Sequence, residues 1–152
     1  MTGGLDELNP YGELITTRVR VVTWNVWGRL GPWRERQPVI ADALASAAPD
    51  LVALQESWTA EVGTGQAAEP GERLGLRHHA TSADPGVAAS GTAVLSRWPI
   101  TATATHRLPG RDDEPGVALA TGIDGPRGPI ALVSAMTGSC RPNGGASRRC
   151  IS

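Results

Sequence analysis

Arg18-Val19-Arg20-Val21-Val22-Thr23-Trp24-Asn25-Val26-Trp27, read together with Pro49-Asp50-Leu51-Val52-Ala53-Leu54-Gln55-Glu56-Ser57, decides how this chain is organised. Each is a short apolar run that ends in a polar side chain able to bind a metal or a phosphate. Residues 19–23 are rich in β-branched side chains and suit a strand. Residues 51–54 are apolar at every position, as expected of a strand buried on both faces. Between them Trp33, Ile40, Ala41, Leu44 and Ala48 fall on one side at the helical period. Pro38 lies inside that pattern, so the helix is expected to begin near Arg34 or Glu35, which leaves Pro38 near the first turn. Pro49 then stops it. Strand, helix, strand is a βαβ unit. Its parallel strands put both carboxyl ends on one sheet edge, so Asn25 and Glu56 are predicted on the same rim. Ligands of open α/β sheets sit at that rim.

A third stretch belongs with these two: Ser90-Gly91-Thr92-Ala93-Val94-Leu95-Ser96-Arg97-Trp98-Pro99-Ile100. Thr23-Trp24-Asn25-Val26, then Leu54-Gln55-Glu56, then this glycine-strand-Ser-Arg-x-Pro-Ile segment resemble, in order, motifs of the endonuclease/exonuclease/phosphatase family. That family includes DNase I-like nucleases, abasic-site endonucleases, sphingomyelinases and inositol-phosphate phosphatases. The similarity runs from about Arg18 to Ser134. It implies an α+β fold, the first half of a DNase I-like α/β/β/α sandwich, truncated. Residues 1–17 then read as a flexible leader, 18–137 as a partial domain and 138–152 as a short tail.

The resemblance also implies the chemistry. The Glu matching Glu56 binds the divalent metal, Mg²⁺ or Mn²⁺. The Asn matching Asn25 hydrogen-bonds phosphate or helps order the metal site. Both are therefore the expected catalytic and metal residues, with the ion bound weakly if at all. A carboxylate suits Mg²⁺, which takes one or two of them and keeps several waters. The implied partner is a phosphoester substrate, with nucleic acid among the candidates; the loops that select it are not legible.

Composition adds little that is specific. The 152 residues carry a net charge of −1, so no strong field draws nucleic acid or an anionic membrane to the chain. All 14 basic residues are Arg, scattered rather than clustered, beside many Ala, Gly and Pro and no Phe, which is the pattern of GC-rich coding DNA. Cys140 and Cys150 form no disulfide framework and no zinc signature. No apolar run is long enough for a membrane span, and the first residues lack a signal-peptide pattern, so a cytoplasmic setting is the default.

The remaining elements follow from turn chemistry and patterning. Residues 58–76 leave room for one short helix, and 77–81 for a short strand. Asp84-Pro85-Gly86 is a turn. Strands are expected over 92–96, 101–107, 117–123 and 130–133, with a charged loop over 109–116 and a turn over 124–128. Residues 51–54, 93–95 and 130–133 are apolar on both faces and need cover on both sides. The helix covers one face. No further segment is long enough to cover the other, so an exposed apolar sheet face and self-association through it are expected.

Arg97 reads as a turn residue rather than a phosphate ligand, the five Trp as packing residues, and Asp112, Asp113 and Glu114 as a solvated loop. His78, His79 and His106 match no family position. The family's later motifs, Gly-Asp-x-Asn and Ser-Asp-His, do not occur in the sequence. Two readings therefore stand: a metal-dependent phosphoester hydrolase that is weakly active or inactive as given, or a non-enzymatic remnant or partner-dependent fragment.

Overall fold

The structure is a computed structural model that describes residues 18–58, 65–82, 91–111 and 114–137. Strand β1 (Val21–Asn25), helix α1 (Trp33–Ala47) and strand β2 (Leu51–Ser57) form the expected βαβ unit. β1 and β2 are parallel, with Val21 opposite Leu51 and Asn25 opposite Gln55. Helix α2 (Ala68–Leu74) and strand β3 (His78–Thr81) follow, then β4 (Gly91–Ser96). β4 runs antiparallel to both β2 and β3, giving a four-stranded sheet in the order β1-β2-β4-β3. β5 (Ile100–Arg111), β6 (Glu114–Gly125) and β7 (Gly128–Met136) form a separate antiparallel three-stranded sheet.

Helix α1 starts earlier than its proline suggests. The amide of Trp33 donates to the Gly31 carbonyl at 2.8 Å, and that of Arg36 to Pro32 at 3.1 Å. Pro38 thus falls in the second turn, where it deletes one helical hydrogen bond. Ala48 ends the helix in the left-handed conformation, φ 46°, with its N–H on the Ala45 and Leu44 carbonyls.

Two cores lie on the two faces of the first sheet. Val52, Leu54, Ala93 and Leu95 pack with Ile40 and Leu44 of α1, and with Val26, Ala67 and Leu76. Leu51 and Val94, which point the other way, pack with Leu119 and Ile123 of the second sheet. Successive strand residues alternate faces, so one strand feeds both cores. Each fully buried Leu or Ile contributes about 1.5–3 kcal/mol.

This arrangement corrects the expected uncovered face. Residues 51–54 and 93–95 are buried on both sides as anticipated, but their second cover is supplied within this chain by β5, β6 and β7. Individually weak strands, polar and alternating, were not legible as a covering layer; paired as long hairpins they are. The layers are thus helix, sheet, sheet. The uniformly apolar 130–133 segment is also corrected: it lies in edge strand β7, and only its inner side is covered, leaving Val133 59% exposed. The outer face of the second sheet carries the open surface. The charged loop is shorter than expected, since strands continue to Arg111 and resume at Glu114; Asp112 and Asp113 lie outside the described residues, as does the Asp84-Pro85-Gly86 turn.

Candidate metal and phosphate site

Asn25 ends β1, and Glu56 stands one residue beyond its register partner Gln55 in β2. The ladder between β2 and β4 slips between Gln55 and Ser57, so Glu56 is a bulge residue, with φ 53°. A left-handed backbone costs a non-glycine residue about 1–3 kcal/mol, and bulges re-aim side chains at sheet rims. Here the carboxylate of Glu56 meets Asn25: Asn25 Nδ2 donates to Glu56 Oε1 at 2.8 Å. Asn25 Oδ1 accepts the Trp27 N–H at 3.0 Å, an Asx turn that begins the next loop.

That loop is built against the Glu56 backbone. Trp27 and Gly28 follow one another in the left-handed region, at φ 58° and 45°. A Cβ on Gly28 would stand 2.9 Å from the Glu56 carbonyl oxygen, so only glycine permits this approach. From helix α1, Arg36 Nη2 donates to the carbonyls of Leu30 at 2.9 Å and Gly28 at 3.2 Å, with a longer contact to Trp27. The guanidinium gathers carbonyls that have no ladder partner. The indole of Trp27 is left 61% exposed beside the pair.

Beneath the rim, Gln55 ties the layers together. Its Nε2 donates to Thr23 Oγ1 at 3.1 Å and to Ser134 Oγ of β7 at 3.0 Å. On the helix side, the rings of Trp33 and Trp58 meet edge to face at 6.1 Å, and the Arg29 guanidinium lies 4.2 Å from the Trp58 ring centre.

Arg97 and the three histidines lie elsewhere. Arg97 is at the opposite end of the first sheet, because β4 is antiparallel to β2; it pairs with Asp50 at 3.1 Å. His78 and His79 pair with Ser96 and Leu95, at that same far end. His106 is opposite Ala118, and Ala118 is opposite Ala135. Cross-strand partners share a face, and Leu119 and Ser134 occupy the buried one, so His106 belongs to the outer face of the second sheet. Among the described residues no three His, Cys, Asp or Glu side chains gather closely enough to enclose a metal ion.

The family profile described as Endonuclease/Exonuclease/phosphatase family matches residues 22–149. The chain belongs to this family. Its fold is similar to that of an endonuclease/exonuclease/phosphatase from Beutenbergia cavernae, at 24% identity and TM-score 0.61, over 77% of this chain and 37% of that one. A family protein from Leptotrichia buccalis is similar at 19% identity and TM-score 0.60, over 79% of this chain and 54% of that one. D. rerio TDP2, solved with a single-strand DNA product, is similar at 17% identity and TM-score 0.55, over 82% and 48%. The chain thus spans between about a third and a half of the length of these solved structures. No curated protein sequence matches it. The α+β, DNase I-like architecture expected from the three motifs is the fold observed.

The donor set at the rim suits a hard, largely hydrated cation. Glu56 keeps one carboxylate oxygen outside its bond to Asn25, and oxygen donors of this kind fit Mg²⁺ or Mn²⁺. Asn25 has its amide nitrogen on Glu56 and its oxygen on Trp27, so its contacts here orient the carboxylate. The placement of Asn25 and Glu56 on one rim, expected from the sequence, is the one observed. Sequence reasoning missed Arg36 and Gln55, since nothing in a helix-face arginine or a strand-end glutamine announces which loop or layer it will hold.

Proposed function

We propose that this chain is a Mg²⁺- or Mn²⁺-dependent phosphoester hydrolase domain in which Glu56 is the metal ligand and Asn25 its orienting partner at the phosphate. The observation that carries this is the Asn25–Glu56 hydrogen bond on a bulged strand end, inside the family's own motifs. When bound, the ion supplies Lewis-acid stabilisation of phosphoryl oxygens. The chain's own part is to hold one carboxylate at a fixed point and to present Asn25 beside it. On this reading activity as given is weak or absent, because His78, His79 and His106, the candidate bases weighed among the described residues, sit in ladders away from Glu56.

Nucleic acid is one substrate class that suits this reading, since a protein of the same fold has been solved with a single-strand DNA product. The alternative, a non-enzymatic remnant or partner-dependent fragment, is favoured by the lack of any group of three metal-binding side chains among the described residues. The experiment that separates them is Mn²⁺ binding followed by electron paramagnetic resonance on the wild type and Glu56→Gln, with hydrolysis of plasmid DNA and bis(4-nitrophenyl) phosphate measured alongside. Saturable binding lost in Glu56→Gln supports the hydrolase site. Identical weak binding in both proteins supports the remnant.

A further inference from the structure

Arg29 sits in the loop that Gly28 presses onto the Glu56 carbonyl. Its guanidinium carbon lies 4.2 Å from the centre of the Trp58 ring and 5.4 Å from that of Trp33. The two rings are inclined at 70°, so they form a corner that holds the cation. A guanidinium stacked on a ring face gives up none of its N–H groups, because all five donors lie in its plane and point outward. Among the described residues those donors have no acceptor. The ion pairs are made by Arg73 and Arg97, and the loop carbonyls are taken by Arg36.

The surrounding chain spends its hydrogen bonds and its strained backbone on keeping this loop in place. Trp27 and Gly28 hold left-handed conformations, Arg36 braces three carbonyls, and Asn25 anchors the Trp27 amide. An exposed, immobilised arginine with an unused fork is the geometry that takes two oxygens of a phosphate at once. A lysine would offer the charge without the fork or the stacking.

We infer that Arg29, stacked on Trp58 near Trp33 in the loop that follows Asn25, is a phosphate-binding subsite. It rests on the hydrolase reading only for the identity of its ligand as a substrate phosphate; the anion site itself needs no metal. The phosphate can be the reacting group or the next one along a substrate with more than one.

The test is phosphate binding by the 152-residue chain in EDTA, read by tryptophan fluorescence and by the ¹⁵N-edited signals of the arginine side chains. Orthophosphate and pyrophosphate are the probes. The wild type is expected to bind both and to shift the Arg29 signal. Arg29→Ala is expected to weaken binding by roughly tenfold, Arg29→Lys by less, and Trp58→Leu several-fold through loss of the pinning. Arg73→Ala, whose guanidinium is already paired with Asp42, is the control and stays unchanged. If Arg29 holds the reacting phosphate, Arg29→Ala loses both probes equally; if it holds the next one, the loss is larger for pyrophosphate. Unchanged affinity in Arg29→Ala, or a wild-type Arg29 signal that does not move with phosphate, overturns the inference. Since the binding is read in EDTA, with no metal ion present, failure of the metal site does not mimic failure of the subsite.

Discussion

Asn25 donates to Glu56 across two parallel strands, 2.8 Å from amide nitrogen to carboxylate oxygen, and the register sets them one residue apart. The bond links a motif at the end of β1 to one at the end of β2, so each needs the other to be placed. Partners that orient a metal-binding carboxylate are typically worth ~10–100-fold in affinity. Asn25→Ala is therefore expected to weaken Mn²⁺ binding within that range while leaving the thermal unfolding midpoint nearly unchanged, because Asn25 is exposed. Isothermal titration of both proteins reads this directly, and equal affinities would remove Asn25 from the site.

Gly28 is the backbone counterpart of that bond. Alanine there meets two costs at once: a positive φ of 45° and a Cβ 2.9 Å from a carbonyl oxygen that belongs to the bulge and cannot retreat freely. Gly28→Ala is expected to destabilise the chain by about 1–3 kcal/mol, seen as a lower urea midpoint. Gly31 has an equally left-handed backbone, φ 60°, and open space around it. Gly31→Ala should cost less, and the difference between the two isolates the clash.

How far the sequence could be read follows from where each signal is local. The βαβ unit was legible because its strands are uniformly apolar or β-branched and its helix keeps the 3.6 period. The shared rim of Asn25 and Glu56 followed from the strand ends, while the roles expected of them came from the resemblance. The second sheet was not legible as cover: Thr101 to Arg107 are polar or small, and β7 alternates half-buried with exposed positions. What makes them a layer is long-range hairpin pairing, such as Leu119 with Ser134, which no single segment encodes. The start of α1 was displaced because Pro38 is tolerated in the second turn once buried Ile40, Ala41 and Leu44 anchor the helix. The bulge at Glu56 left no sequence mark, since it arises from pairing with β4.

At the other end of the first sheet Asp50 accepts the Arg20 amide at 2.9 Å and the Arg97 guanidinium at 3.1 Å, with its side chain 13% exposed. Asp50→Ala leaves a backbone donor without its acceptor and is expected to cost about 1–3 kcal/mol. Arg97 is 55% exposed, so Arg97→Ala should cost no more than about 1 kcal/mol. Neither should change Mn²⁺ affinity, because both lie away from Glu56. Denaturant titration and metal titration on the same samples check the two halves; a loss of metal binding in Arg97→Ala would bring the far rim back into the site.

The outer face of the second sheet offers Ala131, Val133 and Ala135 to solvent on the edge strand β7. An open, apolar edge is where sheets associate. The isolated chain is expected to self-associate, and Val133→Lys to reduce the association by placing a charge on that edge. Light scattering against concentration tests both. A wild type that stays monomeric at high concentration, with a cooperative melt and no dye binding, counts against the open face as an interface.

Catalysis is the sharpest expectation. Glu56 brings one carboxylate to the rim, Asn25 orients it, and the nearby loop adds arginine and tryptophan. None of these removes a proton from water. His106 belongs to the outer face of the other sheet, and His78 and His79 to the far end of the first. General acid–base assistance is typically worth ~10²–10⁴-fold, and catalytic groups act as a unit, so a carboxylate with no base beside it among the described residues is expected to retain little. The chain as given is expected to hydrolyse plasmid DNA, an abasic oligonucleotide and bis(4-nitrophenyl) phosphate barely above the buffer rate in millimolar Mg²⁺ or Mn²⁺. Glu56→Gln should fall within error of it. Robust turnover that disappears in Glu56→Gln would mean that a base reaches the rim from residues outside the described ones, with Asp112 and Asp113 the first to replace by asparagine.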